Sequence, residues 1–210
     1  NVRRINRDTA AAVAYLRGNR PDVAVVLEVD EHWGTALEGL DDVFPHRVLV
    51  PRPDNFGIAV LSRFPLAETR IEAFTASGYP SIVATVRPDS GDHEAVDFRL
   101  IATHPYPPFH ATAWTTLLAH LRGVATEARR GPLPCVVLGD LNATPWSLPF
   151  RSLLEAGGLV DSAVGRGVQP TYHAGLPAPR IPIDHVLVPP GTVVLHRGLG
   201  PAIGSDHFPV

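Results

Sequence analysis

Cys135-Val136-Val137-Leu138 is a run of apolar residues that passes at once into Gly139-Asp140-Leu141-Asn142. The run offers no polar face to water, so it reads as a short strand covered on both sides, which needs packed layers above and below the sheet. Gly139 permits a bend or a close backbone approach where the strand ends. Asp140 and Asn142 are two apart, and in an extended segment both side chains point the same way. An acid and an amide then stand side by side at the rim of a sheet, where α/β proteins build their sites. Asp can serve as a base or a hard-cation ligand, and Asn can donate to an anionic oxygen without adding charge. Gly, Asp and Asn are also the commonest turn formers, so this stretch alone leaves a site and a turn both open.

The remaining sequence supplies the layers. Thr9 to Arg17 has a helical pattern after Asp8, with Val13 and Leu16 on one face. Val23–Leu27 is a second buried strand, ended by Glu28, and a short helix is expected over Thr35–Leu40. From His46 the period becomes two. His46–Val50, Gly57–Ser62, Arg70–Phe74, Ser81–Arg87 and Ala95–Thr103 read as an antiparallel meander, punctuated by Pro, Gly, Asp and Ser. Ala111–Ala128 is the longest predicted helix, with Leu117, Leu118, Leu121 and Val124 on its inner stripe. A helix follows Ser147 to Ala156, Gly165–Arg180 is a loop, and Ile183–Val188 and Val193–His196 are strands.

The 210 residues, 45% of them hydrophobic, suffice for one domain with a substantial core. The formal charge is −3 and every one of the 18 basic residues is Arg, so no broad footprint for duplex nucleic acid is present. The single cysteine, Cys135, excludes an internal disulfide and reads as a small buried hydrophobe. No apolar run approaches a membrane span and no signal peptide is apparent.

Polar residues gather at strand ends: Asn1, Glu28, His104, Asp140, Asn142, Asp184, Asp206 and His207. Glu28 and His104 taken singly also fit a surface acid and a loop histidine. Asp184, inside Pro-Ile-Asp-His-Val-Leu-Val, would be half buried and would need a partner, which His207 can provide. His185 faces the other way on the same strand and reads as a packing residue. Carboxylate and amide oxygens suit Mg²⁺ or Mn²⁺, which keep waters and engage a substrate phosphate. No zinc pattern, Gly-x-Ser-x-Gly or Gly-rich phosphate loop competes.

These segments, in order along the chain, resemble the endonuclease/exonuclease/phosphatase superfamily with its deoxyribonuclease I-like fold. The resemblance runs through Asn1, Pro21–Val29, Gly57–Leu66, Thr103-His104-Pro105, Gly139–Pro145, Ile183–Val188 and Ser205–Val210. It implies a four-layered α/β-sandwich, two mixed β-sheets face to face with helices outside. It also implies a Mg²⁺- or Mn²⁺-dependent phosphoric ester hydrolase working by in-line water attack. Glu28 would be the principal metal ligand, with Asn1 beside it and Asp206 near the ion. Asp140 would orient or deprotonate the water, Asn142 and His104 would hold phosphoryl oxygens, and His207 held by Asp184 would stabilise transition-state charge. Leu27 replaces the Gln usual in the family before the metal-binding Glu. Relative to the family pattern, residues 1–210 read as a single catalytic domain clipped at both ends. Bacterial relatives of this short form often carry membrane helices before the domain, which implies the soluble, monomeric domain of an anchored protein, itself free of the membrane. Trp33, Tyr106, Phe109 and Tyr172, in Pro-rich surroundings with modest Arg content, favour a small or lipid-linked phosphodiester or phosphomonoester. A DNA or RNA nuclease and a non-catalytic binding module of the same fold are the alternatives.

Overall fold

The computed structural model describes residues 1–88, 95–176 and 178–210. Residues 89–94, between the expected strands Ser81–Arg87 and Ala95–Thr103, and Pro177 in the expected loop lie outside the described residues. Thirteen elements follow along the chain: α1 (Ala10–Asn19), β1 (Val23–Leu27), α2 (Glu31–Glu38), β2 (His46–Val50), β3 (Ile58–Ser62), β4 (Leu66–Glu72), β5 (Ser81–Val86), β6 (Phe98–Ala102), α3 (Ala111–Ala128), β7 (Cys135–Asp140), α4 (Leu148–Gly157), β8 (Val160–Asp161) and β9 (Asp184–Val188). Among the described residues no helix is long and apolar enough to cross a membrane.

The strands form a three-stranded sheet, β1-β3-β2, and a six-stranded sheet, β4-β5-β6-β7-β9-β8. The small sheet is antiparallel; the large one is mixed, because β6 and β7 run parallel across the α3 crossover. Alternation along each strand sorts its residues into layers. On β3, Ile58 and Val60 join Ile82, Leu100 and Ala102 between the sheets, whereas Ala59 and Leu61 turn to Trp33, Leu37 and Phe44 beneath α1 and α2. On the large sheet Ile101, Val137 and Leu187 face Leu117, Leu121 and Val124 of α3 and Phe150 and Leu153 of α4. The four-layered α/β-sandwich is therefore helix, sheet, sheet, helix.

The expected meander is split between the sheets. β2 and β3 pair in the small one, and β4, β5 and β6 pair in the large one, the chain changing sheets at Ser62–Leu66. Helix α2 starts at Glu31 rather than Thr35 because Asp30 caps it, its carboxylate accepting from Trp33 N at 3.0 Å. Trp33 is consequently a fully buried core residue, not part of a cleft wall, and its indole N–H donates to Asn6 O. Val193–His196 is not a strand: Val193 and Leu195 are 79% and 91% exposed, and no strand among the described residues pairs with them.

Candidate active site

Gly139 brings the ends of β6 and β7 together. A Cβ at this position would lie 1.9 Å from Thr103 O, so only glycine lets β7 approach Thr103-His104 this closely. Asp140 ends β7 directly opposite Asp184, the first residue of β9, so antiparallel pairing sets two carboxylates side by side. Thr171 steadies the Asp184 end, its hydroxyl accepting from Ile183 N and Asp184 N at 3.2 Å each. Past Asp140 the chain turns through Asn142, which has a left-handed φ of 47°, while Asn142 N donates to Asp140 Oδ1 at 2.9 Å. The turn and the site are thus the same residues: the tight Asp-x-Asn turn is what aims both side chains.

A continuous polar string crosses the floor. His207 Nδ1 donates to Asp184 Oδ2 at 2.7 Å. Asn1 Nδ2 lies 3.0 Å from His207 Nε2 and 2.9 Å from Asp140 Oδ2, donating to both. With Nδ1–H on Asp184 and Nε2 accepting, the tautomer of His207 is set by its neighbours. His104 Nε2 is 3.6 Å from Asp140 Oδ2, and both residues are buried. Asn142 Nδ2 donates to Pro105 O at 2.9 Å, which uses one amide hydrogen and leaves the other for a ligand.

Electrostatics separate the acids. Burial, reinforced by the charge of Asp184, pushes the Asp140 carboxyl up to about 7. Burial alone would raise Asp184 too, but its bond to His207 and that residue's charge more than reverse the effect and hold it well below the ordinary range. Burial draws the His207 imidazole down, and the Asp184 bond and carboxylate outweigh it, so its proton affinity is raised. Burial drops His104 to about 3, which makes it a neutral donor, so its contact with Asp140 is not an ion pair. A raised acid and a raised histidine bridged by one amide are a set suited to proton handling near neutral pH.

Glu28, just after β1, has a left-handed φ of 64° and accepts from Arg4 N at 3.2 Å. Burial raises its carboxyl. Val2 N donates to Leu27 O at 3.0 Å and sets Asn1 beside Glu28. Asp206 is close enough to oppose the ionisation of Glu28, and Arg3 approaches it at 3.9 Å. Asn1 Oδ1 is buried and has no hydrogen-bond partner among the described residues, an acceptor waiting for a positive group. Carboxylate, carboxylate and amide oxygen fit a hard divalent cation. Asp140, Asp184 and His207 also bring ligand atoms within 4.8 Å of one another, but they already spend their donors and acceptors on each other and on Asn1.

The sequence marks Ser205 only as part of the family-like Ser205–Val210 stretch and leaves Thr171 a core or wall residue; the fold gives them their contacts, Thr171 with the start of β9 and Ser205 Oγ accepting from His207 N. Arg3 and Arg4 carry no local mark, and only the fold brings them in. His185 packs on Phe150 and bonds Ala143 O at 2.8 Å, the packing role its register suggested.

Glu28, His104, Asp140, Asn142, Asp206 and His207 line one cleft of about 900 Å³. One wall carries Phe56 and Tyr106, with ring centroids 5.7 Å apart, and Tyr79 stacks on Phe56 at 3.8 Å. The other carries Tyr172, 4.8 Å from the His207 ring. A sequence model of the Endonuclease/Exonuclease/phosphatase family matches residues 1–207. The chain belongs to this family. An inositol phosphosphingolipids phospholipase C of Saccharomyces cerevisiae is 28% identical over 123 residues, half of this chain and 25% of the yeast protein, so the chain spans about a quarter of that relative. An endonuclease/exonuclease/phosphatase crystal structure from Beutenbergia cavernae superposes with a TM-score of 0.76 at 23% identity, covering 97% of this chain and 64% of that one. A 3′ phosphatase from Neisseria bound to a product DNA hairpin superposes with a TM-score of 0.75 at 21% identity, covering 99% and 94%. The two superpositions establish the family fold.

Proposed function

We propose that the chain is a divalent-metal-dependent phosphoric ester hydrolase acting on a small or lipid-linked phosphodiester or phosphomonoester. The observation that carries the reading is the string Asp184–His207–Asn1–Asp140 across the cleft floor, with Asn1 Oδ1 buried and unpaired beside Glu28. Asp140 orients the attacking water and accepts its proton, and a carboxyl near 7 holds that proton readily. His207, whose proton affinity Asp184 raises, takes up a proton at Nε2 and as the imidazolium stabilises charge building on the phosphoryl oxygens. The free amide hydrogen of Asn142 and the neutral imidazole of His104 orient those oxygens for in-line displacement. Mg²⁺ or Mn²⁺ held by Glu28, Asn1 Oδ1 and Asp206 would supply positive charge to the same oxygens.

A nuclease is the second reading, favoured by the Phe56–Tyr79–Tyr106 stack, since every base has a face that can stack on an aromatic ring. The net charge of −3 weighs against it. Bis-p-nitrophenyl phosphate and p-nitrophenyl phosphate, each with Mg²⁺ and then with EDTA, test the reading, with a single-stranded oligonucleotide alongside. Metal-dependent release from either ester supports it, and preferential cleavage of the oligonucleotide selects the nuclease. No turnover of any of the three gives the fold to a binding module.

A further inference from the structure

The cleft mouth and the loop entering α4 carry side chains that none of the roles above uses. Phe109 is 81% exposed, Trp146 and Leu148 are each 58% exposed, and Trp114 is 38% exposed. They come from the starts of α3 and α4. Phe109 and Trp114, with Ser147 and Pro149 on either side of Leu148, line the cleft that contains Asp140 and His207, and Trp146, two residues before Leu148, lines a second hollow with Val164 and Val168. Large apolar side chains exposed together mark a contact surface.

Composition indicates what the surface meets. No Asp, Glu, Lys or Arg occurs between His104 and Arg122, or between Asp140 and Arg151, in a chain that is 19% charged. Both segments are proline-rich: Pro105, Pro107 and Pro108 before α3, and Pro145 and Pro149 around the start of α4. Prolines restrict the backbone, so ordering these loops around the apolar side chains on contact costs little conformational entropy. A specific protein partner is ordinarily aligned by a charged rim, and an anionic membrane is ordinarily met by clustered Lys and Arg. Neither segment carries such charge, the charged residues of the cleft lining, Arg4, Glu28, Asp54 and Asp206, coming from other parts of the chain, whereas Trp and Phe beside Leu are what enters the boundary of a neutral bilayer.

We infer that Phe109, Trp114, Trp146 and Leu148 form a docking surface for an electrically neutral phospholipid bilayer, holding the cleft mouth against the headgroups. The inference deepens the phosphoesterase reading and rests on it for what enters the cleft: a phosphate ester carried on a lipid. It departs from the sequence-based expectation that the domain itself leaves the membrane alone.

Sedimentation with phosphatidylcholine vesicles, at low salt and at about 1 M salt where surface charge is screened, tests the docking without requiring turnover. The protein should pellet with the vesicles equally at both salt levels. Phosphatidylcholine brominated on its acyl chains should quench the tryptophan fluorescence, since Trp114 and Trp146 enter the bilayer while Trp33 is fully buried in the protein. Phe109→Ser with Leu148→Ser should weaken vesicle partitioning roughly tenfold for each side chain removed. Its melting temperature should stay within about 2 °C, because both side chains are exposed. Failure of the parent to pellet, pelleting only with anionic vesicles and only at low salt, or a double variant that pellets like the parent overturns the inference. So does a dimer in solution that the double variant dissolves, which would give the face to a second copy of the chain. Vesicle binding without hydrolysis of any ester sinks the phosphoesterase reading alone, and hydrolysis of a soluble diester without vesicle binding sinks the docking surface alone.

Discussion

Asp140→Asn should make the fold more stable at neutral pH while removing its activity. The carboxyl is 2% exposed and is displaced from 3.8 to about 7 by burial and by Asp184 across the sheet. Three pKa units at about 1.4 kcal/mol each place the cost of ionising it on the order of 4 kcal/mol above pH 7. Between about pH 4 and 7 the folded chain keeps a proton that the unfolded chain has released, so this contribution is full below pH 4 and is lost as pH climbs through 7. Asn carries no charge to bury. It still accepts from Asn142 N, but its NH₂ must replace Oδ2 opposite Asn1 Nδ2, so the Asn1 amide has to turn its unpaired Oδ1 inward. That rearrangement costs about one hydrogen bond, roughly 1 kcal/mol, leaving a net gain near 2–3 kcal/mol at about pH 8. For a chain of this size the melting temperature should rise by roughly 5–10 °C. The assay is thermal unfolding of both proteins in EDTA from about pH 4 to 8: the variant should melt slightly lower than the parent at the acid end, and the curves should cross so that it melts higher through neutrality. Parallel profiles, or a variant that melts no higher at about pH 8, would refute the claim that the site stores the cost of a buried acid.

Asp184→Asn removes the charge that raises the His207 imidazole, so turnover should fall by about 10²–10⁴-fold. The alkaline limb of its pH–rate profile should move to lower pH; an unmoved limb would take His207 out of the rate. Gly139→Ala places a methyl 1.9 Å from Thr103 O, which no rotamer relieves because a Cβ has none. It should destabilise by roughly 3 kcal/mol or more in denaturant titration, and a loss below about 1 kcal/mol would show that β6 and β7 separate easily.

What the sequence made legible follows from which signals are local. Ala111–Ala128 and His46–Val50 coincide with α3 and β2, because a helical stripe and flanking Pro or Gly are properties of the segment itself. Sheet membership is not such a property. β3 and β5 are buried throughout, and period two says which residues share a face without saying which sheet they join. Val193–His196 has β propensity without a neighbour, and the propensity alone forms nothing. At the site, Gly139-Asp140-Leu141-Asn142 marked itself by chemistry and spacing, and the demand of Asp184 for a partner is met by His207 at 2.7 Å. The bridge through Asn1 and the support from Thr171 depend on contacts more than a hundred residues apart or on an unremarkable hydroxyl, and neither leaves a local trace.

The cleft divides into residues that would hold a cation and residues that would activate water, and one measurement separates them: the Mg²⁺ dependence of bis-p-nitrophenyl phosphate hydrolysis by the parent, Glu28→Gln and Asp140→Asn. The parent should saturate with Mg²⁺ and fall silent in EDTA. Glu28→Gln should need at least about tenfold more Mg²⁺, the loss expected for one charged ligand oxygen, and Asp140→Asn should remain silent at every concentration. Hydrolysis by the parent that persists in EDTA, or turnover by Asp140→Asn at the parental rate, would contradict it.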